Sequence, residues 1–156
     1  MADIVKPDVR SRMMAGIRGK NTKPELVVRK MLHAAGFRYR LHITALPGKP
    51  DIVLPKYRAV VLVNGCFWHG HDCHLFRLPS TRTGFWREKI AGNVARDREA
   101  VRKLMESGWR VATIWECALK GKSKLQPDVI ERALVNWLQD DSPQLELRGS
   151  CSDWNN

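Results

Sequence analysis

Residues 50–74 read PDIVLPKYRAVVLVNGCFWHGHDCH, and the architecture is decided in this stretch. Tyr57–Val63 is an apolar run broken only by Arg58, which predicts a central strand buried on both faces. Before it, DIVLP (51–55) predicts a short strand that follows the turn LPGKP (46–50). After it, the eleven residues Asn64–His74 hold two cysteines, three histidines and two large rings. Metal-liking groups and aromatic bodies seldom share so short a run, so this loop is the first candidate for chemistry.

Upstream, FRYRLHI (37–43) alternates apolar and polar residues as a half-buried strand does. NTKPELVVRKMLHAAG (21–36) predicts a helix: Thr22 is placed as N-cap, Pro24 sits in the first turn, and Glu25 follows Thr22 by three residues as in a capping box. Leu26, Val27, Met31, Leu32 and Ala35 recur at helical spacing, and Gly36 ends the run. Downstream, the loop RLPSTRTG (77–84) leads to a long helix from Phe85 to Ser107, striped by Ile90, Val94, Val101, Leu104 and Met105. WRVATIW (109–115) predicts a second buried strand and QPDVIERALVNWLQ (126–139) a last helix. The order is αβββαβα. Hairpin strands come first, then a crossover helix to a parallel strand, giving an α/β sandwich with a mixed sheet. One domain is expected over residues 21–140, with a basic N-terminal arm or helix over 1–20 and a polar, flexible tail over 141–156.

The composition is that of a soluble globule, 44% hydrophobic and 28% charged, with no apolar run long enough to span a bilayer and no signal core. An intracellular chain with reduced thiols is expected. Lys and Arg number 27 against 16 Asp and Glu, a formal net charge of +11, and a domain so basic attracts polyanions. The cations are dispersed, Arg10, Arg12, Arg18, Lys20, Arg38, Arg40, Arg77, Arg82, Arg87 and Lys89 among them, which suggests a surface built into the fold. Nucleic acid is the favoured partner class; an acidic protein is the bland alternative.

Cys66, Cys73 and Cys117 with one histidine make a Cys₃His set suited to tetrahedral zinc, Cys117 being carried to the loop by the strand that it follows. The spacing leaves the histidine open among His69, His71 and His74, and free cysteine is also a common small core residue. A histidine left over, beside a carboxylate, is a candidate acid or base. Asp51, at a strand entrance, is placed to hold Mg²⁺, although Pro-Asp is also an ordinary turn dipeptide. Glu25 can be read as a helix cap and Asp97 as a helix-face ion pair.

The strings RSRMMAGIRGKNTKPE, PGKPDIVLPKYRAVVLVNGCFWHGHDCHLFRLPSTRTGFWREKIAGNVARDR and LMESGWRVATIWECAL together resemble the very short patch repair endonucleases. These are mismatch-nicking enzymes that accompany bacterial cytosine methyltransferases. The resemblance runs from residue 10 to about 120 and implies the restriction-endonuclease-like αβββαβ core. It implies Cys66, His71, Cys73 and Cys117 as ligands of structural zinc, and Phe67, Trp68 and Trp86 as an aromatic wedge beside a T:G mismatch, opposed by Met14 of the arm. By the same resemblance Asp51 and the backbone carbonyl of Val63 bind catalytic Mg²⁺. His69, oriented by Asp97, manages protons, and Glu25 positions metal-bound water. The family pattern has threonine-histidine where this chain has Val63-Asn64, and Asn64 can orient water or phosphate but cannot exchange a proton.

The implied function is Mg-dependent nicking of one strand 5′ of the thymine in a T:G mismatch left by deaminated 5-methylcytosine. The partner is mismatched double-stranded DNA, with a functional link to a cytosine-5 methyltransferase and mismatch-repair proteins. A bacterial cytoplasmic, nucleoid-associated monomer is expected, since one nick needs one active site. Two alternatives stand beside it: a zinc-stabilised module that binds distorted DNA without cutting, which Asn64 favours, and a related nuclease for unmismatched DNA, which buried aromatics would favour.

Overall fold

The computed structural model describes residues 22–150; Met14, the basic arm over 1–20 and Cys151 lie outside the described residues. Helix α1 (Lys23–Ala34) starts at Thr22, whose Oγ1 accepts from the Glu25 amide at 3.4 Å. The predicted cap is present, but the Glu25 carboxylate is turned elsewhere, as described below. Strand β1 (Arg40–Leu41) is far shorter than the alternation over 37–43 predicts, because the chain turns at His42, which adopts φ 53°. Strands β2 (Ile52–Leu54) and β3 (Ala59–Asn64) form a hairpin through a 3₁₀ turn at Pro55–Tyr57.

Helix α2 (Thr83–Glu106) is the predicted crossover, and β4 (Arg110–Trp115) returns parallel to β3. A single-turn helix α3 (Glu116–Leu119) follows, so Cys117 sits just past the strand end, on that turn. Helix α4 (Pro127–Gln139) leads to β5 (Gln144–Leu147), parallel to β4. The described residues form one mixed sheet in the order β1-β2-β3-β4-β5.

Period-two alternation sorts the core into two layers. Ile52, Leu54, Ala59, Val61, Ala112 and Ile114 face α1 and α4, meeting Val28, Leu32, Ile130 and Leu134. Val53, Val60 and Val111 face the other way onto Leu104, with Val101 and Met105 of α2 alongside. The sheet is thus covered on both sides, which is why β3 reads as apolar from Ala59 to Val63. No helix among the described residues is long and apolar enough to cross a membrane.

The expectation of a flexible tail over 141–156 is corrected by β5. QLEL is too short and too polar to stand out, yet Leu145 and Leu147 alternate inward onto the core while Gln144 and Glu146 face solvent. Arg110 Nε donates to Ser142 O at 3.0 Å and the Ser142 amide to Asp140 Oδ1 at 2.9 Å, fixing the approach to the strand. The domain therefore runs past residue 140.

Candidate active site

The polar ends of β2 and β3, the start of α1, the loop after β3 and one face of α2 enclose a cavity of about 1030 Å³. Glu25, Asp51, Val63, Asn64, His69 and Asp97 all line it. Six residues spread over 73 positions of sequence are thus brought to one place, counting from 25 to 97.

Each is held by its own element. Asp51 precedes β2, and its Oδ2 accepts from the Val63 amide of β3 at 2.9 Å. Burial pushes the Asp51 carboxyl up to about 6; the Val63 amide opposes the shift and the nearby Glu25 charge adds to it. Glu25, 1% exposed, directs its carboxylate to Arg29 Nη1 and lies 3.2 Å from His42 Nε2.

His69 is fixed by α2. Its Nδ1 pairs with Asp97 Oδ2, and one turn earlier Asn93 Nδ2 donates to the Trp68 carbonyl at 2.9 Å. Asn93 and Asp97 are four apart, so one stripe of the helix grips two successive loop residues. With Nδ1 taken, Nε2 is the His69 nitrogen left for proton transfer. Gly70 lets the loop lie this close: it adopts φ +59°, and a Cβ there would come 2.8 Å from Ile90 Cγ2 of α2.

Behind the cavity, Cys66, His71, Cys73 and Cys117 are buried, with ligand atoms within 4.8 Å of one another, and could hold a metal ion such as zinc. The described cysteines form no disulfide. His71 Nδ1 lies 3.6 Å from both Cys66 Sγ and Cys117 Sγ, while its ring stacks on Trp115 at 3.9 Å. Burial pushes the Cys66 and Cys117 thiols up and the His71 imidazole down, the state of a cluster whose metal would have to displace protons. His74, by contrast, points to Ser123.

The rings form one cluster: Phe67 meets Trp68 at 5.0 Å and Trp86 at 5.5 Å, and Trp68 meets Trp86 at 5.8 Å. Trp68 is buried at 9% exposure, and Phe67 and Trp86 are half-buried, as the rings pack on one another. Phe85, 46% exposed with Arg82 over its ring, is the most open of the group.

Five supporting residues were not singled out from sequence. Glu116 Oε1 accepts from the Cys66 amide at 3.1 Å, and Asn93 holds Trp68. Gly149 N donates to Cys117 Sγ at 3.3 Å and Arg148 Nη1 to Asp72 Oδ1 at 2.9 Å, so the segment after β5 closes the cysteine cluster. His42 joins the carboxylates because the hairpin register that pairs Leu41 with Ile52 sets it opposite Asp51, whose carbonyl takes the His42 amide at 3.0 Å. A lone histidine in a strand-like run carries no such signal.

A sequence model of the DNA mismatch endonuclease Vsr family matches residues 2–75. The DNA mismatch endonuclease Vsr of Escherichia coli is 42% identical over 151 residues, 96% of this chain and 97% of that protein. The chain belongs to the Vsr family. It is accordingly a DNA endonuclease. Type II nicking enzyme V.XorIIP of Xanthomonas oryzae pv. oryzae is 47% identical over 126 residues, covering 81% of this chain and 93% of the relative. V.NmeAIP of Neisseria meningitidis serogroup A, also named a type II nicking enzyme, is 47% identical over 123 residues, 79% and 88% of the two chains.

Proposed function

We propose that this endonuclease nicks one strand of duplex DNA 5′ of the thymine in a T:G mismatch, as the first step of very short patch repair. The observation that carries the reading is the meeting of Asp51 and the His69–Asp97 pair in one cavity, next to a ring cluster shared by the His69 loop (Phe67, Trp68) and the start of α2 (Trp86). The family implies the restriction-endonuclease-like fold, with which the mixed sheet and its helical layers agree.

Asp51 and the Val63 carbonyl hold Mg²⁺ in this reading; the buried carboxylate at the mouth of β2 is the donor type that ion prefers. An ion held there would supply an activated water and neutralise charge on the leaving oxygen. His69 moves the proton at Nε2, and Asp97 fixes its tautomer and orientation. Glu25 orients water from the side of α1, and Asn64 directs water or phosphate by hydrogen bonds. Phe67, Trp68 and Trp86, with Met14 opposite, enter the stack at the mismatch, where unstacking costs least. The net charge of +11 supplies the sequence-independent attraction to the backbone.

Zinc fits the cysteine cluster. Bonds of about 2.3 Å to sulfur and about 2.0 Å to imidazole, at tetrahedral angles, require a sulfur–nitrogen edge of about 3.5 Å. The two edges at His71 Nδ1 are 3.6 Å each, and the ring is held by stacking on Trp115. Zinc there would anchor the loop that carries His69, Phe67 and Trp68.

The protein works as a bacterial cytoplasmic monomer on this account, linked in function to a cytosine-5 methyltransferase and mismatch-repair proteins. The second reading, recognition without cleavage, rests on Asn64 alone. Incubating T:G, T:A and C:G duplexes of identical flanks with protein and Mg²⁺ separates the two: nicking of the T:G duplex only is expected, and binding without any nick would favour the second reading.

A further inference from the structure

Glu25, His42 and Asp51 bring two carboxylates and an imidazole within 4.8 Å of one another on the wall of the cavity. The imidazole reaches this wall from the turn that follows β1, although Asn64 stands where the family resemblance expects a histidine. His42 Nε2 is buried, and among the described residues no hydrogen-bond partner satisfies it. It nevertheless lies only 3.2 Å from Glu25 Oε2. That separation suits an ion pair when His42 is protonated, and it equally suits two neighbouring ligands around a shared third point. Adjacent ligands of an octahedral divalent ion at about 2.1 Å stand roughly 3 Å apart, and opposite ones roughly 4 Å. The 3.2 Å between His42 Nε2 and Glu25 Oε2 is the spacing of two adjacent ligands, and the Asp51 carboxylate lies within 4.8 Å of both.

The placement of His42 is built in rather than a rotamer chosen at random. Its residue adopts φ 53°, its amide is tied to the Asp51 carbonyl at 3.0 Å, and its side chain is 15% exposed. The same hairpin thus delivers the carboxylate of Asp51 and the nitrogen of His42 to one spot.

We propose that His42 Nε2 is a ligand of the divalent cation held by Asp51, with Glu25 beside it, giving a mixed nitrogen–oxygen site that takes Mn²⁺ more tightly than Mg²⁺. The inference rests on the reading of Asp51 as the metal carboxylate. Imidazole is a good ligand for first-row transition metals, whereas Mg²⁺ prefers oxygen throughout. The role is one of holding and selecting the ion; no proton step is assigned to His42.

The test is Mn²⁺ binding to the full chain, first given one equivalent of zinc so that the cysteine cluster is filled. Electron spin echo modulation then reports nitrogen bound to manganese in the parent and in His42→Gln, His69→Gln and Asp51→Ala. The expected result is nitrogen modulation in the parent, retained in His69→Gln and lost in His42→Gln, with Mn²⁺ affinity lowered about tenfold to hundredfold in His42→Gln and Mg²⁺ affinity changed less. Should His42→Gln fail to fold, retained modulation in His69→Gln still assigns the nitrogen to His42, the other imidazole on this cavity. Manganese bound in the parent without nitrogen modulation, but abolished by Asp51→Ala, overturns the role of His42 and leaves Asp51 standing. Binding unaffected by Asp51→Ala overturns both.

Discussion

His69 Nδ1 meets Asp97 Oδ2 although the two residues stand 28 apart in the chain, one on the loop after β3 and the other on the inner stripe of α2. The pair orients an imidazole whose position is otherwise set only by a loop. Asp97→Asn keeps the shape but reverses the preferred donor, so the single-turnover nicking rate is expected to fall by about 10²-fold or more. Both side chains are about a third exposed, so the melting temperature should shift little. A rate within twofold of the parent would remove the pair from the mechanism.

Loss of the buried metal should be felt in stability as well as in activity. Cys117→Ser, or removal of zinc by a chelator, frees a loop tied through Cys66, His71 and Cys73 to the end of β4. A cost of about 3 kcal/mol or more is expected, since metal binding there is coupled to folding, which for this chain length is about 10 °C in Tm. Calorimetry with and without zinc checks it; equal melting curves would argue against a structural metal.

The rings divide by burial. Trp68, almost enclosed, should destabilise the fold by about 3–5 kcal/mol when cut to alanine. Half-buried Phe67 should cost less stability and more discrimination, with Phe67→Ala losing about tenfold or more of the preference for T:G over T:A duplex. Nicking kinetics on the two duplexes, beside thermal melts, separate the effects.

Asp51 makes stability depend on pH in magnesium-free buffer. Its folded carboxyl sits at about 6 against an ordinary 3.8, so the folded state favours the protonated form. That contribution is complete below about pH 4 and is lost as pH rises through about 6, an upper bound of about 3 kcal/mol. Relative to Asp51→Asn, which cannot ionise, the parent should therefore lose stability between pH 4 and 6. Parallel stability curves for the two proteins across that range would contradict the burial argument.

Much of this architecture is legible in the sequence where one period dominates. Tyr57–Val63 announces a central strand because β3 is covered on both faces, and the stripe from Ile90 to Met105 announces α2 because one helix face meets the sheet. The readings that failed are those decided by tertiary partners. FRYRLHI alternates over seven residues but forms only a two-residue strand, because the chain turns at His42 to meet Asp51. QLEL looks like tail and becomes β5 only because β4 offers it an edge. His42 gains meaning from cross-strand register, which a single histidine does not display. The Cys and His spacing leaves three histidines open; the fold separates them by giving His71 to the cysteines, His69 to Asp97 and His74 to Ser123.

The most direct measurement is single-turnover cleavage of a T:G duplex, each strand labelled at its end, by the parent and by Asp51→Ala in the presence of Mg²⁺. The account predicts one cut, in the strand that carries the thymine and on its 5′ side, with no cut in T:A or C:G controls and at least about a 10³-fold slower cut in Asp51→Ala. Cleavage of both strands, equal cleavage of matched duplex, or an undiminished rate in Asp51→Ala would contradict it.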